Sequence, residues 1–200
     1  MDLRRVETEA ASNTRGFGGP VPDGVLRVAR RRFLVGERLE MASLAKELGV
    51  NRVTVHRWVG SRDRLHLEVL WSLADEALTH ARRTVPSDAD RAVRVMVSFL
   101  ELVLANHGMQ QLLRREIQFA MRLLTQAAAG FQPRLLAAVE DLLDEETTAG
   151  RLRVHMDNHE LAYIVVRVIE SYTYLNVLLG EEPQAQRAEA ALRLVLRPSP

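Results

Sequence analysis

From Asp23 onward, the apolar residues of this 200-residue chain recur every three or four positions, and no convincing segment alternates apolar and polar residues. A spacing of three and four places side chains on one face of an α-helix, whereas a half-buried strand needs a spacing of two. With 47% apolar residues, the chain has enough apolar surface to bury a core. The sequence therefore predicts an all-α protein.

The order of the segments predicts a tail followed by two helical units. Residues 1–22 contain the stretch GFGGPVP and lack periodicity, which predicts a flexible tail. Residues 23–60 hold three short helical segments, and residues 61–200 hold longer ones. Among the longer ones we expect one helix over Met109–Ala127 and another over Asn158–Leu179. The expected architecture is a three-helix N-terminal domain followed by a larger helical domain.

Charge is unevenly distributed along the chain. Residues 1–64 carry thirteen Arg and Lys against eight Asp and Glu, whereas residues 65–200 carry fourteen against eighteen. All but one of the 27 cations are arginine, whose planar guanidinium can make bidentate contacts. A basic N-terminal third is expected where one end of a protein meets a polyanion.

Several classes of site are excluded or disfavoured. There are no cysteines, which excludes disulfides, cysteine-bound zinc and thiol catalysis. No phosphate-binding loop, dinucleotide fingerprint or G-x-S-x-G motif occurs, so no enzyme and no cofactor are predicted. His155, Asp157 and His159 alternate as metal ligands can, but a helix N-cap at Asp157 or Asn158 explains the segment more simply, so no metal is expected.

The chain also shows no signal for export or for membrane insertion. Its N-terminus, MDLRRVETEA, lacks the apolar core of a secretion signal. No apolar run approaches the roughly 20 residues that span a bilayer. A cytoplasmic protein without a membrane partner is expected.

Residues 41–59 carry the pattern of a helix-turn-helix. Two short helical segments flank the three-residue turn Gly49-Val50-Asn51, and the second helix of such a unit lies in the major groove of DNA. The inward-facing side chains are Leu44, Leu48, Val50, Val55 and Val59. The side chains left outside are Arg52, Thr54, His56 and Arg57, of which Arg52 can bind guanine bidentately. The alternative is an ordinary helical hairpin with a solvated arginine face.

The basic N-terminal tail permits a second kind of DNA contact. Arg4, Arg5 and Arg15 could reach a minor groove as some basic arms do. Plain disorder explains the tail more simply, so a contact between this segment and DNA stays an open alternative.

The stretch MASLAKELGVNRVTVHRWVGSRDRL (41–65) resembles the N-terminal domain of TetR-family transcriptional regulators, in which a short recognition helix leads into a long connecting helix. AGRLRVHMDNHELAYIVVRVIESYTYL (149–175) resembles the loop and penultimate helix of that family's regulatory domain. Residues 49–65 are also similar to its QsdR-like branch. The resemblance implies a dimeric, ligand-responsive regulator that binds a palindromic double-stranded DNA operator. It also implies that the regulator acts as a repressor.

The resemblance assigns roles within the recognition helix. The positions that match DNA-facing ones are Arg52, Val53, Thr54, His56, Arg57 and Trp58. Arg62 matches a basic residue that grips phosphate at the start of the connecting helix. Many relatives have tyrosine where this chain has His56, so the operator sequence cannot be carried over. Packing of Trp58 against the first helix is an equal alternative.

Apolar faces on the last two long helical segments suggest a dimer surface. Their members step by three and four: Leu161, Val165, Val168, Tyr172, Leu175 and Leu179 in one, and Ala188, Leu192 and Val195 in the other. The resemblance implies that these helices form a four-helix bundle with a second copy. The same stripes would equally serve an intramolecular core.

A second stripe on the penultimate helix suggests an effector pocket. It consists of Tyr163, Arg167, Glu170 and Tyr174, and Arg167 could meet a carboxylate or a lactone carbonyl. The alternative is an Arg167–Glu170 ion pair at the rim of the bundle. The resemblance adds His107, Gln111, Phe119 and Met121 as pocket candidates, and the QsdR-like segment hints at a lactone or acyl effector.

Two other functions remain compatible with the sequence. An all-α small-molecule carrier or enzyme would use the larger domain and leave the basic unit incidental. A dimeric scaffold would bind a protein partner through that unit without any specific role at DNA.

Overall fold

The computed structural model describes residues 20–153 and 156–196. The tail residues Arg4, Arg5 and Arg15, as well as His155, lie outside these ranges. Across the described ranges there are eleven α-helices, one 3-10 turn and no β-strand element, so the all-α prediction is confirmed. The helices are α1 (Asp23–Leu34), α2 (Met41–Leu48), α3 (Arg52–Val59), α4 (Arg62–Thr84), α5 (Arg91–Ala105), α6 (His107–Arg115), α7 (Ile117–Thr125), α8 (Phe131–Thr148), α9 (Asn158–Thr173), α10 (Leu175–Leu179) and α11 (Ala185–Val195).

Local signals set the bounds of the first helices. Gly49 ends α2 in the left-handed conformation (φ 68°), which costs glycine no steric strain. Asn51 caps α3 by accepting the Thr54 N–H at 2.8 Å, and Ser61 caps α4 by accepting the Arg64 N–H at 3.1 Å. These caps place α3 between two fixed turns. We call α1–α3 the head and α5–α11 the body.

α4 joins the head to the body, and α5 lies at the centre of the body. α4 packs against α1 and α3 on one side and against α5 and α8 on the other. α5 contacts α4, α6, α8, α9 and α11, and it buries Val95, Met96 and Leu100 completely. No single helix in the described ranges is long and apolar enough to cross a bilayer, and only α5 with α6 pass that test together, across a 64° bend.

Two predicted long helices are each broken in the structure. The helix expected over Met109–Ala127 is interrupted at Glu116 (φ −136°, ψ 48°), between α6 and α7. The helix expected over Asn158–Leu179 is interrupted at Tyr174 (φ −100°, ψ 15°), which is buried. Neither break is marked by proline or glycine. Tertiary contacts therefore decide both breaks, and helical periodicity alone does not detect them.

Candidate nucleic-acid interface and ligand cavity

The recognition helix α3 is anchored on one face and exposed on the other. Val55 and Val59 are fully buried beneath it, as predicted. The opposite face exposes Arg52, Val53, His56 and Arg57. Val53 is 76% exposed, the largest exposed fraction among the large apolar side chains of the described ranges. A valine there has no intramolecular role and suits contact with a thymine methyl group.

The arginines of this face have no acidic partner among the residues that the structure describes. Arg30 and Arg32 elsewhere in the head pair with Glu76 and Glu47. In contrast, the part of the chain that the structure describes contains no ion pair to Arg52 or Arg57. Unpaired cations remain available to a polyanion.

Two further exposed cations of the head were not singled out by sequence reasoning. Lys46 on α2 and Arg27 on α1 also pair with no acid among the described residues. Lys46 is the only lysine of the chain, which is the signal that could have drawn attention to it.

Thr54 and Trp58 are less available to DNA than the sequence suggested. The Thr54 hydroxyl lies 3.0 Å from Asn51 Oδ1 and donates to it, so it serves the helix cap. Trp58 is half-buried against the core, and its buried indole N–H has no acceptor among the described residues. The geometry favours the packing alternative for Trp58 over a hydrogen bond to DNA.

Arg62 faces the body in this structure and is paired there, so its expected contact with a DNA phosphate stays a prediction. Its Nη2 donates to both carboxylate oxygens of Glu116, at 2.7 and 2.6 Å. Its guanidinium also lies 4.7 Å from the centre of the Phe119 ring. The hydrogen bond from Arg62 lowers the pKa of Glu116, so this carboxylate stays charged at neutral pH. Phe119, a predicted pocket residue, lies at this contact instead.

More contacts surround this pair and join the head to the body. Arg122 on α7 donates to Asp63 at 2.7 Å, and Arg115 on α6 donates to the Gly36 carbonyl at 2.9 Å. His66 lies edge-on to Phe119 at 4.9 Å, and burial lowers its pKa. This region consists of the start of α4, the α6–α7 break and the loop after α1. We call it the junction.

Two other predicted pocket residues also belong to the junction. His107 and Gln111 lie against Gly36, and Gln111 lines a cavity of about 300 Å³ between α1, α4 and α6. Met121 is partly buried against the core and lines neither cavity. The structure therefore does not bring these three together with the stripe of the penultimate helix.

A larger cavity lies inside the body and extends to the head. The space between its lining residues is about 630 Å³, which includes solvent at its open side. α4, α5, α8 and α9 supply most of its wall, and Phe33 of α1, Met109 of α6 and Leu124 of α7 also line it. The polar-capable side chains among the described lining residues are Asn106, Glu170, Thr173 and Tyr174. A largely apolar cavity with few polar groups is typical of a small-molecule site.

The stripe Tyr163, Arg167, Glu170 and Tyr174 is divided between this cavity and the surface. Glu170 and Tyr174 line the cavity, as predicted. Arg167 does not, because its Nη2 lies 2.7 Å from a Glu170 carboxylate oxygen and it also donates to the Gln132 side chain. Tyr163 is 49% exposed, with its ring centre 5.2 Å from the Arg167 guanidinium. The ion-pair alternative holds for Arg167, which corrects its expected contact with a ligand carboxylate.

Most of the predicted dimer stripe lies in the core of the single chain. Leu161, Val165, Leu175, Ala188 and Leu192 are all at most 6% exposed, so they cannot contact a second copy. Val168, Tyr172 and Val195 are half-buried, and Leu179 is 66% exposed. For the five buried residues the structure therefore supports the intramolecular core, the alternative that the sequence left open.

The structure supports the N-cap interpretation of the segment around Asp157. The Asp157 carboxylate accepts the His159 N–H at 2.8 Å and so caps α9, while the His159 ring lies 2.9 Å from Glu140. Within residues 20–153 and 156–196, no group of three or more His, Asp or Glu side chains could hold a metal ion.

Comparisons with known proteins agree with this geometry. Residues 88–197 match the family described as tetracyclin repressor-like, C-terminal domain. The fold is similar to that of the transcriptional repressor QsdR of the TetR family from R. erythropolis, with a TM-score of 0.77 and 24% identity over 86% of this chain and 92% of that chain. It also resembles a protein from Shewanella sp. PV-4 grouped with tetR family transcription regulators (TM-score 0.55, 16% identity, 88% and 97% coverage). A search of curated proteins gave no match.

Proposed function

The chain belongs to the tetracycline-repressor-like (TetR) family of transcriptional regulators, and from this membership we propose that it is a dimeric, ligand-responsive repressor that binds a palindromic operator. The observation that carries the DNA-binding part is the face of α3. It exposes Val53 and two arginines that have no acidic partner within the described residues, while two buried valines fix the helix. Such a face supplies both charge for phosphates and groups for base edges. With genomic DNA as its partner, its proposed location is the cytoplasm.

Selection from genomic fragments, followed by footprinting at two salt concentrations, tests this function. We expect protection of a two-fold-symmetric site whose affinity falls steeply as salt rises, because Arg and Lys displace counterions from phosphates. Binding that ignores sequence, or no binding, would instead favour a carrier or enzyme. A stable complex with another protein in place of DNA would favour the scaffold.

Arg52→Ala is expected to relax base preference at one position of each half-site and to weaken operator binding by about 1–3 kcal/mol. The reason is that Arg52 is exposed at the start of α3 and has no acidic partner among the described residues. Binding to a set of operators mutated one base pair at a time measures the change. Arg83→Ala is the matched control, because Arg83 is an exposed arginine in the last turn of α4. Equal weakening on every sequence would contradict base contact by Arg52.

The proposed dimer surface lies on the exposed faces of α9 and α11. On α11 the exposed or half-exposed residues Arg187, Ala190, Ala191 and Leu194 follow helical spacing, and Leu194 is 69% exposed. α9 packs against α11, so the exposed faces of the two helices adjoin. Such a combined face can pair with its own copy about a two-fold axis.

Leu194→Asp is expected to raise the dimer dissociation constant by about tenfold or more, since a buried unpaired carboxylate costs at least about 1.4 kcal/mol. Sedimentation velocity over a concentration series measures it. Val35→Asp introduces the same charge at a residue that is 61% exposed in the loop after α1, and it should leave dimerisation unchanged. Equal dimer affinities for the two variants would remove α11 from the interface.

The larger cavity is the proposed effector site, and the junction is the proposed link to DNA binding. The cavity touches α1 through Phe33 and α4 through Leu70 and Leu73. It also touches α7 through Leu124. α7 follows the break at Glu116, whose carboxylate binds Arg62. A ligand that binds one arrangement of these helices better than another would shift the separation of the two recognition helices.

A further inference from the structure

The lining of the larger cavity contains one formal charge. Among the described residues that line it, Glu170 is the only carboxylate and no cation occurs; Glu170 is 8% exposed. Four aromatic rings share the lining with it: Phe33, Phe99, Phe131 and Tyr174. The remaining residues are aliphatic, apart from Asn106, Thr173 and the thioether of Met109.

The groups that compensate Glu170 lie away from the cavity. The Gln132 amide donates to Glu170 and to the Leu124 carbonyl, and Arg167 pairs with Glu170 from the outer side, where its side chain is 37% exposed. Neither Gln132 nor Arg167 lines the cavity. A molecule inside the cavity therefore meets the carboxylate, while the arginine faces the rim of the bundle.

This arrangement disfavours an anionic ligand and favours a cationic one. A ligand carboxylate would lie near Glu170 with no cation in the lining, and like charges repel strongly where water is excluded. Burial raises the pKa of Glu170, with Arg167 and Gln132 acting in the opposite direction, so the carboxylate gains from a further positive neighbour. The faces of aromatic rings attract cations as well.

We propose that the cavity binds an organic cation, a protonated amine on an apolar body, whose N–H donates to Glu170 while the body packs against the aromatic and leucine side chains. This inference rests on the proposed function, in which the same cavity is the effector site. It replaces the lactone or acyl effector suggested by the sequence, because the arginine that would have bound a carbonyl is held outside the cavity.

Three probes that share one framework test the charge preference: phenylbutylamine, phenylbutanol and phenylbutanoate, which are cationic, neutral and anionic at neutral pH. Titration calorimetry on the full chain gives the affinities, and tryptophan fluorescence reports occupancy. Trp71 suits this readout because its ring centre lies 6.1 Å from that of Phe131, a lining residue. We expect the amine to bind about tenfold tighter than the alcohol, and the carboxylate to bind most weakly.

Glu170→Gln keeps the shape of the side chain and removes its charge. In this variant the amine is expected to lose its advantage of about tenfold, while the affinity of the alcohol changes less than about twofold. Asp141→Asn is the matched control, because Asp141 is an exposed carboxylate on α8 outside the cavity lining. Equal binding of amine and alcohol by the wild-type protein would overturn the proposal, as would undiminished amine binding by a folded Glu170→Gln variant. Should that variant fail to fold, the ranking of the probes by the wild type decides alone.

Fluorescence anisotropy with labelled operator separates this inference from the proposed function. If the alcohol or the carboxylate binds tightest and releases the operator, the cation preference is overturned and the ligand-responsive regulator stands. If the amine binds through Glu170 but leaves operator affinity unchanged, the cation site stands and the effector role of the cavity is overturned.

Discussion

Replacing Gly108 with alanine is expected to destabilise the protein by about 3 kcal/mol, because α6 crosses α1 at this residue with no room for a methyl group. An added Cβ would overlap the Phe33 carbonyl oxygen and would lie 2.8 Å from its carbonyl carbon. Both are backbone atoms, so no rotamer change relieves the contact and α1 must move away from α6. Urea unfolding of the wild type and the variant measures the difference in free energy.

Gly180→Ala is the matched control for this substitution. Gly180 has no atom within 4 Å of an added Cβ but has a φ of +70°, so alanine there costs only the left-handed conformation, about 1–2 kcal/mol. We also expect Gly108→Ala to weaken operator binding in the folded fraction, since α1 belongs to the head. A stability loss no larger than that of Gly180→Ala would show that the two helices separate freely.

Glu146→Gln is expected to cost about 3–5 kcal/mol of unfolding free energy at neutral pH, since it leaves the buried Arg91 and the partly buried Arg151 without their countercharge. Glu146 is 1% exposed and accepts from Arg151 Nε at 2.7 Å and from Arg91. Arg91 in turn donates to the Arg82 carbonyl at 2.9 Å. The carboxylate thus ties together α4, α5 and the loop after α8.

Glu145→Gln controls for the loss of charge at the neighbouring residue. The Glu145 side chain is 52% exposed and pairs with Arg82, so its removal should cost about 1 kcal/mol or less. Urea unfolding of both variants under the same conditions compares them. Similar losses for the two would mean that burial adds nothing to the Glu146 cluster.

The contribution of Glu146 is also expected to depend on pH. Burial acts to raise the pKa of Glu146, but the hydrogen bonds from Arg151 and Arg91 outweigh it and hold the pKa below the ordinary value of 4.5. When the pKa of a group is lower in the folded state than in the unfolded state, its charged form stabilises the fold. This contribution is fully present above the unfolded-state pKa and is lost as the pH falls through the folded-state pKa. The difference between wild type and Glu146→Gln should therefore shrink below about pH 4.5. A difference that stays constant down to about pH 3 would contradict this linkage.

The head shows how much local sequence can determine. The bounds predicted for α2 and α3 are those observed, since Gly49, Asn51 and Ser61 each act on the backbone within three residues of their own position. The burial of Val55 and Val59 followed from the same short-range pattern. The lack of an acidic partner for Arg52 and Arg57 among the described residues agrees with the local pattern, because no acid lies within one turn of either.

The body shows where periodicity alone is insufficient. An apolar stripe predicts that one face of a helix is buried, but it does not indicate which part of the molecule buries it. Leu161 and Leu192 are covered by their own chain, while Leu194 remains exposed. In the same way, Glu170 and Arg167 share a stripe, yet only Glu170 faces the cavity.

The sequence by itself determined the helical class, the helix-turn-helix and the residues that cap it, because these depend on contacts between near neighbours. Only the tertiary structure decided the break at Glu116, the partner of Arg62 and the lining of the cavity. Arg62 and Glu116 are 54 residues apart along the chain, and no local pattern indicates their contact. Such pairs form only once α4 and the α6–α7 segment pack together, since packing brings distant charges within hydrogen-bonding distance.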